Sequence, residues 1–255
     1  MTMDLRRVFS YMRRACDDYQ MIQPGDRIAV GISGGKDSLA LLAGLAGMRR
    51  FYPVPYEVVA ITVDVGFEGG SDWSEIEAFC RELDVPYHVV KTEIYDVIFN
   101  IRREKSPCAL CSKMRRGVLH NTAKDLGCNV VALGHHMDDV VDTFMLNLFY
   151  EGRIGCFEPV SELSRVGVRV IRPLIYMPEK DVRHFVKHNP LPVKKSACPA
   201  DGFTHRTEVN QLIWDLEKKS KGLRYRIFGA IQRGEIDGFK PALHIPKHKS
   251  TPQDE

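Results

Sequence analysis

Six consecutive residues, Ser33-Gly34-Gly35-Lys36-Asp37-Ser38, set two adjacent glycines beside a lysine, a carboxylate and two hydroxyls. Adjacent glycines let the backbone curl so that successive amide N–H groups converge. Ser33 and Ser38 add donors, and a helix opening at this point contributes about half a positive charge. The matching ligand is a polyphosphate. The spacing fits neither the dinucleotide pattern GxGxxG nor the Walker A pattern GxxxxGK[ST], because Lys36 directly follows the glycine pair. The plain structural alternative is a tight turn with a Ser/Asp helix cap.

A second constellation is Gly134-His135-His136-Met137-Asp138-Asp139. Carboxylates cap a helix N-terminus well, but capping explains two of them beside two histidines less well than it explains one. A third is the pair Cys108 and Cys111 in Cys-Ala-Leu-Cys spacing, where amides at a helix start favour thiolate. A lone CxxC serves zinc, iron–sulfur clusters and redox dithiols alike; the redox use calls for thioredoxin-like surroundings that are missing here. Cys198, followed by Pro199, is the candidate third ligand. Cys16, Cys80, Cys128 and Cys156 fall in helix or strand patterns and read as small buried residues.

These groups need a frame that gathers turns. Short β-branched runs at 27–33, 58–64, 87–92, 130–135 and 168–174 read as strands with two buried faces. Helical spacing of apolar residues separates them at 38–50, 72–83, 112–126 and 138–150. Strand and helix in alternation predict a doubly wound, parallel, five-stranded α/β sheet, with both motifs at C-terminal strand ends, where such sheets bind ligands. Residues 1–24 are expected to hold a helix, 25–176 the sheet domain and 177–239 a helical appendage with helices at 179–187 and 207–219. The tail, 240–255, is expected to be loosely ordered.

Composition excludes several classes. The 255 residues are 44% hydrophobic and 27% charged, which is globular rather than disordered. No run approaches the roughly 18 apolar residues of a membrane span, and the N-terminal segment lacks a secretory pattern, so a cytoplasmic location without membrane attachment is expected. Seven cysteines, an odd count, suit metal or reactive thiols better than a disulfide framework. The net charge of +3 is too small to argue for nucleic acid by itself. Basic residues do bunch, as in Arg102, Arg103 and Lys105 and in Lys113, Arg115 and Arg116, and such runs are either solvated helix faces or contacts to a polyanion.

The string SGGKDS at 33–38 resembles the pyrophosphate loop of the PP-loop (N-type) ATP pyrophosphatases, and GHHxDDxxxT at 134–143 resembles the second signature of their tRNA-modifying members. Together with PCALCSKMRRG at 107–117, IRPLIY at 171–176 and the single cysteine Cys198, the chain is similar to the tRNA 2-thiocytidine synthetase (TtcA) family from about Arg6 to Ala230. The resemblance implies adenylylation of the carbonyl oxygen of a cytidine, at position 32 of tRNA, and its replacement by sulfur. It implies that Ser33, Gly34, Gly35, Lys36, Asp37 and Ser38 grip the β and γ phosphates of ATP with Mg2+, Lys36 and Asp37 serving catalysis. By the same likeness Asp64 meets the adenosine, and Gly134, His135, Asp138 and Asp139 line the nucleotide and target-base site, the two carboxylates holding magnesium or moving a proton. Cys108, Cys111 and Cys198 would ligate a 4Fe-4S cluster with one iron open; relatives often carry a second downstream cysteine where this chain has Lys195. A sulfur donor such as a cysteine desulfurase, tRNA contacts from Arg102, Arg103, Met114, Arg115 and Arg116, and a homodimer belong to the same expectation.

Two other readings compete. A 2-thiouridine or lysidine enzyme of the same fold would share the adenylylation, although lysidine synthesis needs no cysteine cluster and the zinc-bearing thiouridine enzymes carry further CxxC pairs. A zinc-stabilised RNA-binding protein would need a fourth ligand, such as His205.

Overall fold

The computed structural model describes residues 5–67, 70–104, 107–195, 198 and 205–241. Lys105, Pro199 and the tail from residue 242 onward therefore lie outside the described residues.

Helix α1 (Arg6–Asp18) leads into β1 (Asp26–Ile32), α2 (Lys36–Met48), β2 (Tyr56–Asp64), α3 (Ser74–Glu82) and β3 (Tyr87–Lys91). One π-helical turn, Asp96–Ile101, precedes α4 (Pro107–Asp125), β4 (Val130–Ala132), α5 (Met137–Tyr150) and the strands β5 (Val160–Leu163) and β6 (Val168–Ile171). Three helices follow: α6 (Glu179–His188), α7 (His205–Lys219) and α8 (Leu223–Arg233). Among the described residues no helix is long and apolar enough to cross a membrane.

The sheet has six strands in the order β3-β2-β1-β4-β6-β5. β1 pairs in parallel with both β2 and β4, so that Val30 lies between Ala60 and Ala132. β2–β3 and β4–β6 are also parallel, while β5 runs antiparallel to β6. The expected five-strand sheet is thus extended by one edge strand. Val160–Leu163 is only partly buried and, unlike the equally short β6, carries no run of apolar residues. Helix α8 likewise lies outside the predicted elements, whereas α4 starts at Pro107, earlier than the spacing at 112–126 suggests, with proline in the first helical position it favours.

Burial explains the layers. β1 and β2 are apolar on both faces, as parallel strands covered twice must be. One face packs on α1, α2 and α5 and receives Val182 and Phe185 of α6, Val209 and Ile213 of α7, and Phe228 and Ile231 of α8. The other carries Val59, Ile61, Val63 and Val131 against Ile98, Leu119 and Ala123 of the π-turn and α4. Helix α2 is buried nearly all round; Leu39, Leu41, Leu42 and Leu45 are fully enclosed, each stabilising the fold by roughly 1.5–3 kcal/mol. The order of strands reverses between β1 and β4, and the crevice at their C-terminal ends is where the two glycine-bearing motifs emerge.

Candidate active site

The phosphate-type loop is held open by its own hydroxyls. The Ser33 N–H donates to Ser38 Oγ (3.2 Å), the Gly35 N–H donates to Ser33 Oγ (3.2 Å), and Ser38 Oγ donates to the Gly35 carbonyl (2.9 Å). Gly34 adopts φ +81°, and a Cβ there would meet the Trp73 ring and Lys194 Cβ at 3.3 Å, so both conformation and space demand glycine. α2 begins directly at Lys36, leaving its first amides free to face a ligand. Lys36 Nζ donates to Asp37 Oδ2 (2.9 Å) and lies 3.0 Å from Glu179 Oε1 of α6. Burial disfavours the ammonium charge, but the two carboxylates more than offset it and hold the Lys36 pKa above its ordinary value. From the segment after α6, the Lys194 N–H donates to the Gly34 carbonyl (2.9 Å) and Lys194 Nζ donates to the Asp72 carbonyl.

The second motif is pressed against the first. A Cβ on Gly134 would stand 3.0–3.1 Å from the Asp37 carbonyl group and Ser38 N, which are backbone atoms. His136 caps α5 reciprocally: the Asp139 N–H donates to His136 Nδ1 (3.4 Å), and the His136 N–H donates to Asp139 Oδ2 (3.0 Å). His136 Nε2 lies 3.6 Å from Asp37 Oδ1, a buried carboxylate oxygen with no hydrogen-bond partner. Asp139 has its pKa raised, by burial first and also by the charge of Asp37, against the opposing pull of His136 and Arg206. An orphaned buried oxygen beside a second, destabilised carboxylate is a setting that a divalent cation would relieve, so Asp37 and Asp139 fit magnesium. His135 packs its ring on Phe157 (4.7 Å between centroids) with Nδ1 buried and unpartnered. Burial foremost, and then Arg172 and Arg206, push its pKa down to about 3, so the ring is neutral near pH 7.

The cysteines complete the cavity. Cys108 and Cys111, three residues apart, share a face in the first turns of α4, and Cys198 reaches the same space from the segment after α6. Ser33, Asp37, Ser38, Gly134, His135, Asp139, Cys108, Cys111 and Cys198 all line one cavity of about 480 Å3, together with Tyr95, Phe99, Arg115 and Arg116. Burial raises the Cys111 pKa, with Cys108 and Cys198 adding to the effect and Arg115 opposing it; the thiolate-favouring helix start expected from sequence is outweighed. Among the described residues no three His, Cys, Asp or Glu side chains close on a single metal position. Three thiols that line one cavity and act on one another's charge fit a multi-iron cluster, which is held at its corners. His205, the candidate fourth zinc ligand, instead pairs with Glu208 (3.0 Å), stacks on Tyr150, and is not among the cavity-lining residues.

Other expected residues sit elsewhere. Asp64 binds the Trp73 indole (3.0 Å) and the Gly66 N–H (3.1 Å), ordering the turn after β2. Asp138 accepts from the Glu179 N–H (2.7 Å) and pairs with Arg224 (3.3 Å), tying α5 to α6 and α8 rather than lining the cavity. Gly34, Gly35 and Lys36 form the loop beside the cavity without lining it. Two contacts had no sequence signal: Glu179 on Lys36, and Arg206 of α7 on Asp139 (3.5 Å) and Thr143 (2.8 Å). Cys16, Cys80 and Cys128 are buried as expected, while Cys156 is only partly so.

Comparison with known proteins agrees with this geometry. A family model described as a PP-loop domain matches residues 9–201. A tRNA-cytidine(32) 2-sulfurtransferase of Geobacter sulfurreducens is 38% identical over 229 residues, covering 89% of each chain, and one of Citrifermentans bemidjiense is 39% identical, covering 88% of this chain and 89% of its own. The U34-tRNA thiolase NcsA from Methanococcus maripaludis, solved with its [4Fe-4S] cluster, superposes with a TM-score of 0.73 at 25% identity, over 94% of this chain and 85% of that one. An NH3-dependent NAD synthetase from Campylobacter jejuni shares the fold at 14% identity and a TM-score of 0.51, over 91% of this chain and 93% of that one. With a loop of SGGKDS form and three cysteines contributing to the lining of one cavity, and relatives of this identity over nearly nine-tenths of its length, the chain belongs to the PP-loop family and, within it, to the tRNA-cytidine(32) 2-sulfurtransferases.

Proposed function

We propose that this chain activates the C2 carbonyl of a cytidine, at position 32 of tRNA, with ATP and exchanges its oxygen for sulfur. The observation that carries the reading is the shared cavity: Ser33, Asp37 and Ser38 of the phosphate loop and all three candidate cluster ligands line the same 480 Å3. A cytosine carbonyl carbon is a weak electrophile with a poor leaving group, so transfer of AMP to the oxygen must precede substitution. The amides at the start of α2 and the Lys36 ammonium would hold the β and γ phosphates and stabilise the departing pyrophosphate. Asp37 and Asp139 would hold Mg2+ against them. His135, neutral and facing the cavity, offers a hydrogen bond without adding charge. Arg115 and Arg116, on the cavity wall, would take the phosphates flanking the target base.

Cys108, Cys111 and Cys198 would hold a [4Fe-4S] cluster with one iron free of protein ligands, and the chemistry that group supplies is carriage of sulfide to the activated carbon. We further propose Mg2+ as the metal at the phosphates, three cysteine ligands to the cluster, a cysteine desulfurase as sulfur donor, a homodimeric state and a cytoplasmic location.

The test is reconstitution under anaerobic conditions, incubation with unmodified tRNA, ATP and sulfide, and mass spectrometry of the nucleosides. ATP-dependent 2-thiocytidine supports the proposal. A thiolated uridine in its place would move the chain to another branch, and a colourless, zinc-loaded protein without thiolation would overturn the reading.

A further inference from the structure

The phosphate-loop lysine is gripped from outside its own motif. Lys36 Nζ carries three hydrogens, and its two acceptors are Asp37 Oδ2 at 2.9 Å and Glu179 Oε1 at 3.0 Å. Glu179 is the first residue of α6, more than 140 positions downstream, and it is fixed in turn. Its N–H donates to Asp138 Oδ2 (2.7 Å), Arg183 Nη2 donates to the same Oε1 that faces Lys36 (2.9 Å), and Asp138 is held by Arg224 (3.3 Å). Beyond α6, the Lys194 N–H is bonded to the Gly34 carbonyl, so this stretch of chain meets the loop at both of its ends. A flexible four-carbon stem would otherwise spread the ammonium over many rotamers.

We propose that Glu179 is a positioning residue for the ATP reaction: with Asp37 it occupies two of the three hydrogens of Lys36 and aims the third at the β and γ phosphates. This rests on the loop binding ATP, as proposed above. Its distinctive consequence is selectivity. Loss of the Glu179 carboxylate weakens ligands that carry the β and γ phosphates and spares AMP, because AMP lacks the groups Lys36 reaches. A residue that merely ties α6 to the sheet would affect all three ligands together or none.

The experiment is calorimetric titration of the full-length protein with ATP, pyrophosphate and AMP in the presence of Mg2+, for the unaltered chain and for Glu179→Ala and Glu179→Gln. Glu179→Ala is expected to weaken ATP and pyrophosphate at least tenfold and to leave AMP within twofold. Glu179→Gln, which keeps an acceptor oxygen, is expected to fall between. ATP binding unchanged in Glu179→Ala, or equal weakening of AMP and ATP, overturns the inference while leaving the proposed function intact. Failure of the unaltered chain to bind ATP or pyrophosphate overturns the proposed function, and the inference with it.

Discussion

Gly134→Ala tests how closely the two motifs must approach. The added methyl would stand 3.0 Å from the Asp37 carbonyl carbon, 3.1 Å from its oxygen and 3.1 Å from Ser38 N. These are backbone atoms in the first turn of α2, so no side chain can rotate away and either α2 or the β4 end must shift by a few tenths of an ångström. Overpacking of this kind costs about 1–3 kcal/mol. For a protein of this size that is a fall in melting temperature of roughly 2–12 °C. If relief comes by displacing Asp37 and the loop, the same energy weakens ATP binding by between about fivefold and 150-fold, since ~1.4 kcal/mol is a factor of ten. Gly117→Ala is the control: it lies within α4, its Cβ would meet open space, and it is expected to stabilise the helix by about 0.5–1 kcal/mol. Thermal unfolding and ATP titration of both variants decide the matter. A Gly134→Ala protein that melts and binds ATP like the unaltered chain would refute the close-contact reasoning.

Acid stability should report on His135. Its folded pKa of about 3 lies below the ordinary 6.5, so the stability gained from a neutral ring is complete above 6.5 and is lost as the pH falls toward 3, at up to about 1.4 kcal/mol per pH unit. Urea midpoints between pH 7 and 4 should therefore decline less steeply in His135→Gln; parallel slopes would contradict the burial of an uncharged imidazole. Arg115→Ala and Arg116→Ala should each reduce the slope of log affinity for tRNA against log salt by about one, and an unchanged slope would remove that side chain from the phosphate contacts.

The frame of this molecule was legible because its strands are long apolar runs and its glycine turns sit at their ends. β1, β2, α2 and α5 lie within a few residues of where periodicity puts them, and the loop at 33–38 opens a helix as its composition demands. Elements without an apolar run were not legible: β5 is only partly buried where β4 and β6, which are no longer, are largely apolar, and Asp96–Ile101 takes a π form that no spacing announces. Capping chemistry showed that Asp138 and Asp139 begin a helix, but which one faces the cavity depends on α6 and α8, whose Glu179 N–H and Arg224 claim Asp138. Arg206 and Glu179 illustrate the same limit, since their partners lie 67 and 143 positions away and only tertiary packing brings them together.

The central claim is that activation and sulfur delivery are separate tasks performed on one base in one cavity. Cys198→Ala tests it most directly, with tRNA-dependent pyrophosphate release and 2-thiocytidine formation measured on the same anaerobic sample. Cys198 lines the cavity without belonging to the phosphate loop, so pyrophosphate release should persist while thiolation is abolished. Equal loss of both activities, or thiolation at the unaltered rate, would contradict that division.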